Sequence, residues 1–192
     1  MNRLLQLTAL LLAGAFLVGC AHPINMSPDL AKLEPQGAVI EARVGYYLPD
    51  ALRSEEVTTP GGGGDKVRYF PYRDLEPGFY KALSATFADV TKLNQPMDAR
   101  GSGVHLVITP TVKTTSYSDS AFTWPPTDFS VELTCSVQNA AGHPIKTIVV
   151  NGQGKATFSE FKSNFSLAAV RASDDALAKL VQQLRNDPDL RR

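Results

Sequence analysis

The chain has 192 residues, and its 19 basic and 19 acidic side chains give a formal charge of zero. This length suits one domain that can bury a real core. The balanced charge lacks the basic excess typical of nucleic-acid binding and the polybasic run typical of binding to anionic lipid. We therefore expect neither activity.

An export leader is predicted at the start of the chain. Arg3 gives it a positive beginning, and the stretch from Leu4 to Val18 is almost entirely apolar. That stretch matches the apolar region of a signal peptide and is short for a membrane span, which needs roughly 20 apolar residues. It ends in Leu17-Val18-Gly19-Cys20, which resembles the lipobox of bacterial lipoproteins.

The resemblance implies a fate for Cys20. In bacterial lipoproteins the cysteine receives a diacylglyceryl group, the leader (here residues 1–19) is removed, and the new amino terminus is acylated. Three acyl chains give stable attachment, whereas one gives only reversible binding. Ala21, where an Asp would favour the inner membrane, implies the outer membrane with the protein facing the periplasm. Surface display, or a plain signal peptide with a chance cysteine, are the alternatives.

Residues 20–36 are predicted to be the lipidated cysteine and a flexible tether. Pro23, Pro28 and Pro35 lie in this segment among few large apolar residues. Sixteen residues extend at most about 55 Å, so such a tether would let the domain stand clear of the lipid. Residues 37–192 are predicted to form a single periplasmic domain.

The domain begins with two predicted strands. Ala38 to Leu48 alternates between apolar and other side chains, as a strand with one buried face does. A turn-rich segment with Gly61 to Gly64 follows, and then a short strand from Lys66 to Phe70. We expect these two strands to pair as a hairpin.

A helix is predicted next, from about Leu75 to Leu93. Phe79, Leu83, Phe87 and Val90 form an apolar stripe at helical spacing within it. Its first turn is rich in acidic residues, which suit the positive end of a helix dipole.

Three further strands are predicted, covering Val104 to Lys113, Asp128 to Gln138 and Ile145 to Phe158. In the last of them Gly152 and Gly154 indicate a bend or bulge. On the middle strand, Cys135 alternates with polar residues and is predicted to be buried rather than reactive.

A second helix is predicted from about Asn164 to Arg185, followed by a frayed tail from Asp187 to Arg192. The elements therefore run in the order ββαβββα. This predicts an α+β fold with a single antiparallel or mixed sheet of about five strands. Packing both helices on one face of that sheet would bury both apolar stripes.

No motif for catalysis, metal or cofactor emerges. The run Gly61 to Gly64 is followed by Asp65 and Lys66, whereas a phosphate-binding loop needs Gly-Lys-Ser or Gly-Lys-Thr opening a helix. The histidines lack metal-ligand spacing, and no Gly-x-Ser-x-Gly elbow occurs. We expect a protein that is not an enzyme, with no cofactor and no metal.

Aromatic residues suggest where a partner would bind. If the first two strands pair, Tyr47, Arg68, Tyr69 and Tyr72 converge, and tyrosine and arginine are enriched at interface hot spots. Trp124 lies in a proline-braced loop and is a further interface candidate. The alternative is that these rings fill the core or stack across strands.

In outline the order of elements is similar to the YajG-like lipoproteins and to other small periplasmic lipoproteins of envelope assembly. This resemblance implies a non-enzymatic protein-binding or assembly module on the periplasmic face of the outer membrane, with an envelope protein as partner. A binder of a small hydrophobic or glycan ligand is the second hypothesis, and it requires an aromatic-lined pocket. A hydrolase acting on envelope material is the third, and it requires a nucleophile beside a base.

Overall fold

The computed structural model describes residues 21–34, 37–60, 66–118 and 127–191. The predicted leader, Cys20, the run Gly61 to Gly64 and Trp124 lie outside the described residues.

The main sheet has five strands. In this sheet β2 (Ile40–Tyr47) runs parallel to β5 (Phe87–Leu93) on one side and to β6 (Leu106–Tyr117) on the other. Antiparallel pairing then joins β6 to β7 (Asp128–Asn139) and β7 to β8 (Pro144–Lys155). The spatial order is β5-β2-β6-β7-β8, so the sheet is mixed and its two edges are β5 and β8.

A second, smaller sheet corrects the prediction of a single sheet. It contains β1 (Ala21–Pro23), β3 (Val57–Pro60) and β4 (Lys66–Tyr69) in the order β1-β4-β3. The predicted hairpin between the first long strand and residues 66–70 is therefore wrong, because β4 pairs with β1 and β3 instead of β2. The strands β1 and β3 are only three and four residues long, too short for alternation to show in the sequence.

Four α-helices and three 3₁₀ helices occur in the described part of the chain. The α-helices are α1 (Asp50–Arg53), α2 (Pro71–Ser84), α3 (Phe158–Ser163) and α4 (Leu167–Asn186). The helices α1 and α3 are short. The long helices α2 and α4 carry residues that are buried in one core with the inward side chains of β7. The 3₁₀ helices are Leu30–Leu33, Pro96–Ala99 and Pro188–Arg191.

The main sheet has one covered face and one open face. The core face carries the inward residues of β7, from Phe129 to Val137 at alternate positions, and all five of these are at most 2% exposed. The open face carries the residues between them and their neighbours on β6 and β8. Those side chains are mostly polar, as an antiparallel sheet solvated on one side requires.

The first helix is shorter than predicted. It ends at Ser84, and Phe87 to Leu93 forms strand β5 beside β2. Apolar residues at 87, 90 and 93 fit a helical stripe as well as a strand, and parallel pairing with a distant strand decides the outcome. A local pattern cannot report such a pairing.

Gly152 and Gly154 do not mark a bulge. The pairing of β7 with β8 is regular from Asp128 to Val137, and its one register shift lies beyond that. The glycines instead let α4 approach the strand. A Cβ on Gly152 would lie 2.5 Å from the Ala176 nitrogen and nearer still to the Ala172 carbonyl oxygen.

Both ends of the described chain pack onto the domain. Ile24, Met26 and Leu33 are at most 8% exposed and belong to the main core, so residues 21–34 do not form the predicted flexible tether. At the other end Leu190 is 1% exposed within a 3₁₀ helix, so the tail is not frayed as predicted. In both segments isolated apolar residues become buried between longer elements, which periodicity does not reveal.

Candidate functional site

Two of the predicted interface tyrosines lie in the core. Tyr69 is 1% exposed, its ring centroid lies 5.2 Å from that of Phe129, and its hydroxyl is 2.6 Å from the Thr114 hydroxyl. Tyr72 is 7% exposed, and its hydroxyl accepts a hydrogen bond from the Val112 nitrogen at 3.2 Å. Both rings therefore follow the alternative interpretation, in which they hold the fold.

The other predicted interface residues do not form one cluster. Tyr47 is half-buried on β2, where it pairs with Leu93 of β5, whereas Arg68 is exposed on β4 of the small sheet. Cys20 and Trp124 lie outside the described residues. The predicted convergence depended on pairing β2 with β4, and that pairing does not occur.

The thiol of Cys135 is inaccessible. Cys135 is fully buried on the core face of β7, as predicted, and burial raises the pKa of its thiol to about 12. A thiol with this pKa stays protonated at neutral pH, and the thiolate is the reactive form. Cys135 therefore acts as a small apolar core residue.

The most conspicuous buried charge is Glu76 of α2. Its carboxylate accepts hydrogen bonds from Arg53 Nε at 2.6 Å, from Lys92 Nζ at 2.9 Å and from the Tyr46 hydroxyl at 3.3 Å. Burial disfavours the charged form, but the hydrogen bonds from Lys92 and Arg53 outweigh it and lower the pKa of Glu76. Burial and the Glu76 charge together raise the pKa of Tyr46 to about 12. Glu76 is thus a permanently charged structural group at neutral pH, without the raised pKa of a general acid.

No group of three or more His, Cys, Asp and Glu side chains that could hold a metal occurs among the residues described. Within the same ranges, no helix is both long and apolar enough to span a bilayer.

The cavities do not match a glycan or hydrophobic-ligand pocket. A groove of about 390 Å³ lies between the 3₁₀ helix Leu30–Leu33 and the end of α4, and none of its described lining residues is aromatic. An apolar gap beside Phe79 and Leu177 has a volume of about 10 Å³, which is room for one water molecule. Ligand pockets of ordinary size are lined mainly by apolar and aromatic side chains.

A third concavity, the distal groove, lies on the open face of the main sheet. Its volume is about 280 Å³. Met97 is 63% exposed at its rim, whereas Val107 in its lining is buried at 2% exposure. The residues that line the groove are Gln95, Pro96, Met97, Arg100, Val107, Gln138, Asn139, Ala140 and Gly142.

Hydrogen bonds and packing hold the elements of the distal groove together. The 3₁₀ helix Pro96–Ala99 begins with a capping box in which Asp98 accepts a hydrogen bond from the Gln95 nitrogen at 3.1 Å. Arg100 donates to the Ala141 carbonyl oxygen at 3.0 Å and so links this helix to the β7–β8 turn. A small second core containing Leu93, Ala99, Val104 and Val107 lies beneath. Sequence reasoning missed this site, because Gln95 and Asp98 do not match the usual capping-box signature of Ser or Thr followed three residues later by Glu or Gln.

The two edges of the main sheet differ in protection. Side chains of α4 cover the outer edge of β8 through three hydrogen bonds of 2.7–2.8 Å. Lys179 and Arg171 donate to the carbonyl oxygens of Asn151 and Lys155, respectively. Asp175 accepts from the Gln153 nitrogen. In the described part of the chain β5 pairs only with β2. An unprotected edge is a template for strand addition. This edge ends at Leu93, two residues before the distal groove.

No protein-family model matches this chain, and no curated protein matches it. Several solved structures resemble it. Protein XCC0632 from Xanthomonas campestris is 14% identical with a TM-score of 0.48, covering 86% of this chain and 90% of that one. A PelC variant dodecamer from Paraburkholderia phytofirmans is 14% identical with a TM-score of 0.46, covering 79% and 95%. A minor lipoprotein from Acinetobacter baumannii is 14% identical with a TM-score of 0.39, covering 77% and 93%. These values place the chain in no family.

Proposed function

We propose that this chain is a lipoprotein, attached through lipid on Cys20 to the outer membrane and facing the periplasm. There it works as a non-enzymatic protein-binding or envelope-assembly module. The lipobox-like Leu17-Val18-Gly19-Cys20 at the end of an apolar leader supports the anchor, and Ala21 supports the outer membrane as its place.

The observation that carries the binding role is the distal groove beside the outer edge of β5. An extended segment of an envelope protein can add to β5 through backbone hydrogen bonds and place an apolar side chain in the groove. The exposed Met97 suits this role, because methionine is flexible and polarizable and is over-used at binding surfaces.

The competing functions have less support in the described residues. A hydrolase needs a nucleophile activated by a base, but the Cys135 thiol is buried and Glu76 is neutralised by two cations. A glycan binder needs aromatic rings around a cavity, and the larger described cavities are lined without them.

The anchor is tested by changing Cys20 to Ala and following the protein in cells with labelled palmitate and membrane fractionation. We expect the variant to lose the label and to leave the membrane fraction, while the unchanged protein keeps both. Continued labelling and unchanged membrane recovery in the variant would refute lipidation at Cys20.

The binding role is tested with a photo-crosslinking amino acid in intact cells. Placed at Thr91 on β5, it should capture a defined envelope protein, and capture should fall when Met97 is also changed to Ser. The matched control is the same probe at Val149, which is 45% exposed on β8, the edge that α4 covers. Equal capture from both positions, or capture that ignores Met97, would refute the role of this edge.

A further inference from the structure

We infer that Phe158 and Phe165 rest on the surface of the lipid bilayer and hold the anchor end of the domain against the membrane. The anchor end means the ends of β6 and β8 together with α3 and the first described residues. This inference rests on the proposed lipid at Cys20, and it adds a second, protein-made contact to that lipid.

The two rings form a compact exposed pair. Phe158 is 55% exposed and Phe165 is 46% exposed, and both lie against Phe161, which is buried. The ring centroids of Phe158 and Phe161 are 4.9 Å apart in an edge-to-face arrangement, and those of Phe161 and Phe165 are 6.4 Å apart. The exposed rings are therefore braced from the core side, in contrast to scattered surface residues, which need no explanation.

Helix α3 holds Phe158 in place, and Phe165 follows two residues after its end. Thr157 and Glu160 form a reciprocal capping box at its start. Glu160 also accepts two hydrogen bonds from Arg171 of α4, at 2.7 and 3.2 Å. These bonds from Arg171, with those from Thr157, lower the pKa of Glu160 to about 2. The position of Phe158 is therefore set by a helix that is capped and tied to α4.

The first described residues lie close to these rings. The Asn25 nitrogen donates to the Ser166 hydroxyl at 3.0 Å, directly beside Phe165. Asn25 follows Cys20 by five positions, so the Cα atoms of these two residues can lie at most about 18 Å apart. Because β1 is paired with β4, residues 21–23 have a fixed place on the domain. A lipid on Cys20 would therefore enter the bilayer near Phe158 and Phe165.

The charges around the rings favour phospholipid headgroups. Lys162 Nζ lies 4.9 Å from the centroid of the Phe158 ring, and Lys66 and Arg68 are exposed on the strand that pairs with β1. The nearby carboxylates are engaged by cations, since Glu160 pairs with Arg171 and Asp128 pairs with Lys155 at 2.6 Å. Exposed phenylalanines flanked by lysine are the composition of a segment that lies in a membrane interface.

The test uses the full-length chain purified with its lipid. A fluorescent probe is attached to Phe158→Cys and, as the matched control, to Met97→Cys. Met97 is also exposed and apolar, but it lies at the other end of strands that are twelve residues long. Buried Cys135 does not compete for the probe. The proteins are placed in vesicles of three parts phosphatidylethanolamine to one part phosphatidylglycerol, containing a headgroup nitroxide lipid.

We expect the nitroxide to quench the probe at position 158 several-fold more than the probe at position 97. Because replacing Phe158 removes its contact with Phe161, Phe165→Cys provides a second position that leaves that contact in place, and it should be quenched likewise. Equal quenching at the two ends would overturn the inference. So would a probe at 158 that is shielded from water in cells but unquenched by nitroxide lipid, because that result identifies a protein partner.

The palmitate label separates the two proposals. A labelled protein whose probes at 158 and 165 are not quenched refutes the membrane contact and leaves the lipid anchor standing. A protein without label refutes the anchor and, with it, the inference that depends on it.

Discussion

Replacing Gly152 by Ala should destabilise the domain strongly. The new Cβ would lie 2.5 Å from the Ala176 nitrogen, roughly 0.9 Å inside ordinary contact, and closer still to the Ala172 oxygen. Both obstacles are backbone atoms of α4, which cannot rotate away, so the whole helix must move off the sheet. Overpacking ordinarily costs about 1–3 kcal/mol, and we expect about 3 kcal/mol or more here. For a chain of this size that lowers the unfolding midpoint by roughly 6–12 °C.

The assay is thermal and urea unfolding of the variant beside a control on the same strand. Gln153→Ala is that control, because Gln153 is exposed and bonds α4 through its backbone nitrogen, which the substitution keeps. The control should change stability by less than about 0.5 kcal/mol. Adding Ala176→Gly should not rescue the variant, since the clash is with backbone. A Gly152→Ala protein as stable as the original would refute this account of the strand–helix contact.

Two other predictions follow from the buried groups. The Cys135 thiol should react slowly with an alkylating reagent in the folded protein and rapidly in urea, because its pKa is raised to about 12 by burial; fast modification of the folded protein would contradict its position in the core. Glu76→Gln should destabilise the protein most at neutral pH. The lowered pKa of Glu76 means that its contribution is fully present above the ordinary carboxyl pKa and is lost as pH falls through the folded value. Urea unfolding from pH 7 to pH 3 measures the difference in the free energy of unfolding between the variant and the original protein. A difference that stays constant with pH would contradict this role of the Glu76 charge.

The sequence predicted the strands that alternate clearly and the helix with a continuous apolar stripe. The strand predicted from Asp128 to Gln138 is β7, and the helix predicted from Asn164 to Arg185 is α4, with no end more than three residues away. Strands β6, β7 and β8 are joined by consecutive antiparallel pairing, so each keeps a clean alternation between core and open faces.

The elements that were missed depend on contacts between distant residues. Strand β5 is stabilised by β2, more than forty residues earlier, and β1 by β4. Apolar residues at Phe87, Val90 and Leu93 fit both a helix and a strand, and only the position of β2 selects the strand. The candidate site was missed for the same reason, because the distal groove combines residues from the turn after β5 with residues from β6 and β7.

The packing of residues 21–34 bears on how far from the membrane the domain would lie. A flexible tether of sixteen residues would allow any separation up to about 55 Å and any orientation. In the structure the same residues supply β1 and the buried Met26 and Leu33, so Ala21 has a fixed place on the domain. If Cys20 carries the lipid, the height of the distal groove is then set by the length of the main sheet. Its twelve-residue strands span roughly 35–40 Å, which would hold Met97 that far from the bilayer surface. The fold, and not the linker, would decide how far into the periplasm a partner meets this protein.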